Sequence, residues 1–147
     1  MEPSLSGGSQ NKMETKKRTF GYLISNEIPK SNIKVFVTGA TGYIGGSVAE
    51  RLVSMGYDVS GLVRTTDNAE ELARRNIRPI IGSLDDFDVL TKAAQSADII
   101  INAANVDHIR AVITLVTALE HSGKLLIHTS GSSIVADHAD GAYGAEP

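Results

Sequence analysis

The chain has no cysteine and no tryptophan in its 147 residues. With no thiol, disulfides and thiolate metal sites are excluded, and the composition suits a reducing compartment. Aromatic residues are sparse at 5%, yet an apolar content of 41% is enough for the core of one domain of ordinary size. No apolar run comes near the roughly 20 residues of a membrane-spanning helix. The N-terminus likewise lacks the apolar stretch of a secretory signal. A formal net charge of −3 gives no basic surplus of the kind that binds nucleic acid. The histidines, His108, His121, His128 and His138, fall in different segments without metal-ligand spacing. The expectation is a soluble, cytoplasmic protein with no membrane, nucleic-acid or metal partner.

Residues 1–32 differ from the rest. They are polar, rich in Ser, Gly and Lys, and mildly basic, with five Lys/Arg against three Asp/Glu, while the remainder holds nine against fourteen. They read as a disordered arm, or one loosely docked through Phe20, Tyr22, Leu23 and Ile24. From Ile33 onward, apolar runs alternate with helical periodicity. Ile33–Thr38, Val59–Val63, Ile77–Ile81, Ile99–Asn102 and Leu125–Thr129 read as strands, the first of them buried on both faces. Pro79 suits an outer strand. Between them come a helix with Ile44, Val48, Leu52 and Met55 as its apolar stripe, and a short polar helix over Asp67–Arg75 that rests on Leu72. A third helix is signalled by Ser83–Asp86 and continues through Phe87, Leu90 and Ala94. The longest carries Ile109, Val112, Ile113, Val116 and Leu119.

This order predicts an α/β fold, a Rossmann-like doubly wound parallel sheet of about five strands in the order 3-2-1-4-5. Residues 33–136 form the domain, and 137–147 form an irregular tail. The segment joining the first strand to the first helix reads Thr38-Gly-Ala-Thr-Gly-Tyr-Ile-Gly45. Gly39 allows a tight turn off the strand. Gly42 lets a pyrophosphate lie against bare backbone, and Gly45 allows close helix packing. A helix starting near Tyr43 and Ile44 aims its free N–H groups at the anion, and the Thr41 hydroxyl adds a donor.

This loop resembles the cofactor loop of the short-chain dehydrogenase/reductase superfamily. The likeness is greatest to its extended and atypical branches, the NAD-dependent epimerase/dehydratase and NmrA-like proteins, and covers about residues 33–135. The resemblance implies an NAD(P) cofactor. In an NAD-selective site an acidic residue near the end of the second strand takes the ribose hydroxyls. Here that position holds Arg64, a residue suited to a 2′-phosphate and to stacking on adenine, or else a solvated charge after a strand. NADP is the expected cofactor, with NAD as the alternative. The resemblance also places Asp85 near the adenine amine, although Asp85 and Asp86 equally suit helix caps. It places Asn102, Ala103 and Ala104 along the cofactor ribose, where small residues also suit a tight turn.

Reductases of this superfamily pair a Tyr with a Lys four residues on and add a hydroxyl residue after strand five. Ser132 matches the hydroxyl position, with Ser130 and Ser133 as neighbours that fit as well. No tyrosine is followed by Lys at that spacing, Tyr143 included. A strand five that ended the sheet would also leave an apolar edge inviting self-association. We therefore read the sequence as the NADP-binding, C-terminally incomplete part of an oxidoreductase or epimerase, inactive by itself. The alternative is a non-catalytic NADP-sensing module that acts through protein partners.

Overall fold

The structure, a computed structural model, describes residues 32–131. The arm before residue 32, the tail over 137–147, and Ser132, Ser133 and Tyr143 lie outside the described residues. Five strands and four helices alternate along the chain: β1 Lys34–Thr38, α1 Tyr43–Ser54, β2 Asp58–Val63, α2 Thr66–Arg74 and β3 Arg78–Ile81 come first. They are followed by α3 Phe87–Ser96, β4 Ile99–Asn102, α4 Ile109–Ala118 and β5 Leu125–His128. All strand pairings are parallel, and the order is β3-β2-β1-β4-β5. The predicted fold class and strand order are both present. Pro79 lies in β3, which among the described residues pairs only with β2 at the sheet edge, a position where proline is tolerated.

Alternation along β1 divides the core between the two sheet faces. Val35 and Val37 pack with Ala49 of α1 and Leu72 of α2, together with Val59, Val63 and Ile77. Phe36 points the other way, into Leu90 and Ala94 of α3 and Ala111 and Leu115 of α4. Helices therefore cover both faces, as a doubly wound sheet requires. Leu72 is fully buried, as its place in the short polar helix implied.

Two apolar stripes coincide only in part with the buried faces: Val48 and Leu52 of α1 and Leu119 just after α4 pack partly buried against the core, while other members do not. In α1 the buried residues are Gly45, Gly46 and Ala49, while Ile44 and Met55 are exposed. In α4 the buried residues are Ala111 and Leu115, while Ile109, Ile113 and Val116 face outward. Ala111 shares its cluster with Ala93, Ala94 and Ala97, so α3 and α4 approach through small side chains. A close approach selects the small face of a helix and leaves the bulky one outside. Leu125 and Ile127 of β5 are exposed too, on the edge strand that the sequence marked for pairing. Among the described residues no helix is long and apolar enough to cross a membrane.

Candidate functional site

In a parallel sheet every strand delivers its C-terminal end to the same edge, and the strand order reverses between β1 and β4. At that reversal a buried polar tie joins three strands. Thr38 closes β1 opposite Asn102 of β4, and both are buried. The Thr38 hydroxyl donates to Asn102 Oδ1. Asn102 Nδ2 donates in turn to His128 Nδ1 at 3.0 Å, at the end of β5. The Asn102 carbonyl accepts from both the Thr129 N–H and the Thr129 hydroxyl at 3.0 Å. Asn102→Ala strips Thr38 of its acceptor in a dry position and is expected to cost on the order of 2 kcal/mol. Urea unfolding would show it as a lower midpoint at unchanged slope.

The glycine loop is built directly on this tie. Gly39 has φ +72°, a conformation that disfavours a side chain, and a Cβ there would stand 2.6 Å from the Ala103 carbonyl oxygen. The chain thus leaves β1 by crossing the start of the β4–α4 connection. Gly42 returns its N–H to the Gly39 carbonyl at 2.9 Å and opens α1. A Cβ on Gly45 would collide with that same Gly39 carbonyl. Gly45 therefore permits packing of the helix against its own loop, a closer neighbour than the strands. Gly42 is exposed, and a Cβ there would meet only the Gly39 oxygen, at 3.2 Å. The start of α1 has no capping side chain and no acidic residue in its first turn, so its leading N–H groups have no side-chain acceptor among the described residues.

Beside the loop lies a cleft of about 420 Å³, within the range of small-molecule sites. Gly39 and Thr41 form one wall, and Leu62, Val63 and Arg64 at the end of β2 form the next, with Asn68 of α2. Gly82 to Asp85 follow β3, and Ala104, Asn105 and His108 follow β4. Of the residues singled out from sequence, Gly39, Thr41, Arg64, Asp85 and Ala104 meet here. Gly42, Tyr43, Ile44 and Gly45 belong to the adjoining turn and helix start. Tyr43 is 92% exposed. Asn102 and Ala103 precede the lining residue Ala104 without lining the cleft themselves, and the Asn102 amide is committed to the tie. Arg64 is exposed and has no carboxylate partner among the described residues.

Asn68, Asn105 and His108 escaped the sequence reading, as did Gly61. A Cβ on Gly61 would fall 2.6 Å from Ala40 Cβ and 2.7 Å from Leu72 Cδ1, so β2 must be bare where the glycine loop crosses it. A glycine inside a strand was the available signal. His108 starts α4: its Nδ1 accepts from the Ala111 N–H at 3.2 Å, and its Nε2 meets Asp85 Oδ1 at 3.2 Å. Asp86 is the residue before α3, but its carboxylate accepts from the Ser83 N–H at 2.6 Å and makes no helix cap. Ser83 Oγ accepts the Asp85 N–H at 3.2 Å, which completes a tight turn after β3. The helix-start signal at Ser83–Asp86 thus marks the right place for a different reason. Among the described residues no group of three His, Cys, Asp or Glu side chains is placed to hold a metal ion.

Known proteins share the sequence pattern and the fold of this region. Residues 31–141 match the sequence pattern of the NmrA-like family. The chain is similar to the oxidase ucsJ of Acremonium sp, with 43% identity over 107 residues that make up 67% of this chain and 31% of that protein. Among solved structures, an isoflavone reductase superposes with a TM-score of 0.51 at 26% identity, covering 63% of this chain and 33% of that one. AtPrR2 with NADP+ and (+)pinoresinol superposes with a TM-score of 0.52 at 23% identity, covering 63% and 34%. This last likeness shows the fold alone. The chain spans about a third of the length of each of these relatives, at 31%, 33% and 34%.

Proposed function

The chain belongs to the NmrA-like family, with an oxidoreductase-like NAD(P)-binding domain, and we propose that it holds NADP(H) for an oxidoreductase or epimerase in the cytoplasm. One observation carries this reading: the glycine loop leading into an uncapped helix start, through Gly39 and Thr41, and an unpartnered Arg64 border a single cleft. The first N–H groups of α1 receive the pyrophosphate over the bare backbone of Gly42, and the Thr41 hydroxyl adds a donor. Arg64, with Asn68 beside it, takes the 2′-phosphate. Asp85 accepts from the adenine amine, and Ala103 and Ala104 leave room for a ribose. The residues present fit the cofactor, because a side chain at Gly42 would fill the cradle.

When bound, the nicotinamide supplies or accepts a hydride. The chain's own part is to orient the dinucleotide and to present a hydroxyl from the segment after β5, for which Ser132 is the proposed residue. Pairing of a second chain along β5 belongs to the same proposal. A second reading, an NADP-sensing module without turnover, is favoured by one fact: none of the four tyrosines has a Lys four residues on.

Thermal melting in the presence of nucleotide tests the cofactor reading. NADPH at about a hundred times its Kd is expected to add roughly 2.7 kcal/mol and to raise the melting temperature clearly. NADH at the same concentration is expected to raise it less. No shift with either nucleotide at millimolar concentration would defeat the proposal. NADPH oxidation on addition of carbonyl acceptors would favour the enzyme, and binding without oxidation the sensor.

A further inference from the structure

The bond between His108 and Asp85 joins residues 23 positions apart, across the cleft wall from the turn after β3 to the start of α4. Its geometry assigns the imidazole protons. Nδ1 accepts the Ala111 N–H, so Nε2 carries hydrogen and donates to Asp85 Oδ1. The imidazole is thereby held from both sides. His108 is mostly buried, at 22% side-chain exposure, whereas Asp85 is 78% exposed. An isolated carboxylate this exposed would sample several rotamers. Here one oxygen is fixed by a rigid donor, and Oδ2 is left to accept from a ligand.

Holding the two helices together does not require this bond. The α3 and α4 helices already meet through Leu90, Ala94, Ala111 and Leu115. The Arg110 guanidinium also lies 4.6 Å from the centre of the Phe87 ring, tying the same two helix starts. A hydrogen bond to so exposed a carboxylate competes with water and contributes little stability. Its consequence is positional.

We propose that His108 positions the Asp85 carboxylate and thereby makes the cleft selective for a 6-amino purine, an inference that rests on the cofactor reading above. A purine amine donates to the free carboxylate oxygen. A 6-carbonyl purine presents an acceptor to an acceptor and is rejected. His108 touches Asp85 and the helix start; it acts on the purine through Asp85.

Calorimetric titration of the full chain with NADPH and with its hypoxanthine analogue, which carries a 6-carbonyl, tests this. The proteins are wild type, His108→Asn, Asp85→Asn and the double variant. Asparagine is a good N-cap, so His108→Asn keeps an acceptor for Ala111 while too short to reach Asp85. Wild type is expected to prefer NADPH on the order of tenfold. Both single variants are expected to lose most of that preference, and the double variant to lose no more than Asp85→Asn alone. An undiminished preference in His108→Asn, or losses that simply add, would overturn the assignment. Equal binding of both compounds by wild type would overturn it as well, leaving the cofactor reading intact. Binding of neither would remove the cofactor reading, and this inference with it.

Discussion

An Arg64→Asp variant is expected to bind NADPH roughly 100-fold more weakly than wild type, because charge-assisted contacts to a 2′-phosphate are replaced by repulsion. NADH, which lacks that phosphate, is expected to bind as well as before or better, since a carboxylate at this position can accept from the ribose hydroxyls. The basis is local. Arg64 follows β2 at the cleft, is exposed, and has no described carboxylate partner, so the change disturbs no internal ion pair. Parallel titrations with the two nucleotides supply the measurement. Retention of the wild-type NADPH preference in the variant would remove Arg64 from the site, even if the chain still bound nucleotide.

A single methyl group on Gly45 is expected to damage the molecule more than one on Gly42, although the two lie in the same loop. The Gly45 methyl would strike the Gly39 carbonyl, a backbone atom held in a turn that itself abuts Ala103. Relief requires α1 to move away from the loop, at a cost on the order of 3 kcal/mol. The start of the helix would move with it, so the nucleotide-induced rise in melting temperature should vanish. The Gly42 methyl meets only one atom, at 3.2 Å, and points otherwise into open space. Gly42→Ala should cost about 1 kcal/mol as an N-cap change, yet it places a methyl where a pyrophosphate must lie. A near-normal melting temperature for Gly42→Ala with no response to NADPH would separate the glycine that serves the ligand from the one that serves the fold. An undiminished response in Gly42→Ala would remove the pyrophosphate from that position.

Much of this molecule is legible without coordinates. Strand and helix limits follow from period and punctuation. Gly56 and Gly123 end their segments with φ of +88° and +70°, conformations that glycine adopts freely. The glycine spacing after β1 marks the loop because each glycine answers a constraint within a few residues of it. His108 shows where this local logic stops. In sequence it is one histidine among four without ligand spacing, and its partner Asp85 lies in a different βα unit. The tie between Thr38 and Asn102 spans 64 residues and likewise leaves no local trace.

The sequence by itself determined the order of the elements, the parallel sheet and the glycine-lined start of α1, because propensity, periodicity and backbone freedom act over one or two turns of chain. Tertiary structure alone decided which residues at each helix contact were fully buried, although Val48, Leu52 and Leu119 of the legible stripes still pack against the core. It chose Gly45, Gly46 and Ala49 over Ile44 and Met55, and Ala111 and Leu115 over Ile109 and Ile113. Hydrophobicity ranks the side chains, but the distance at which a helix meets its neighbour selects among them by size. The same register that brings all strand ends to one edge gathered Thr41, Arg64, Asp85 and His108 around one cleft, a meeting set by pairing between strands far apart in the chain.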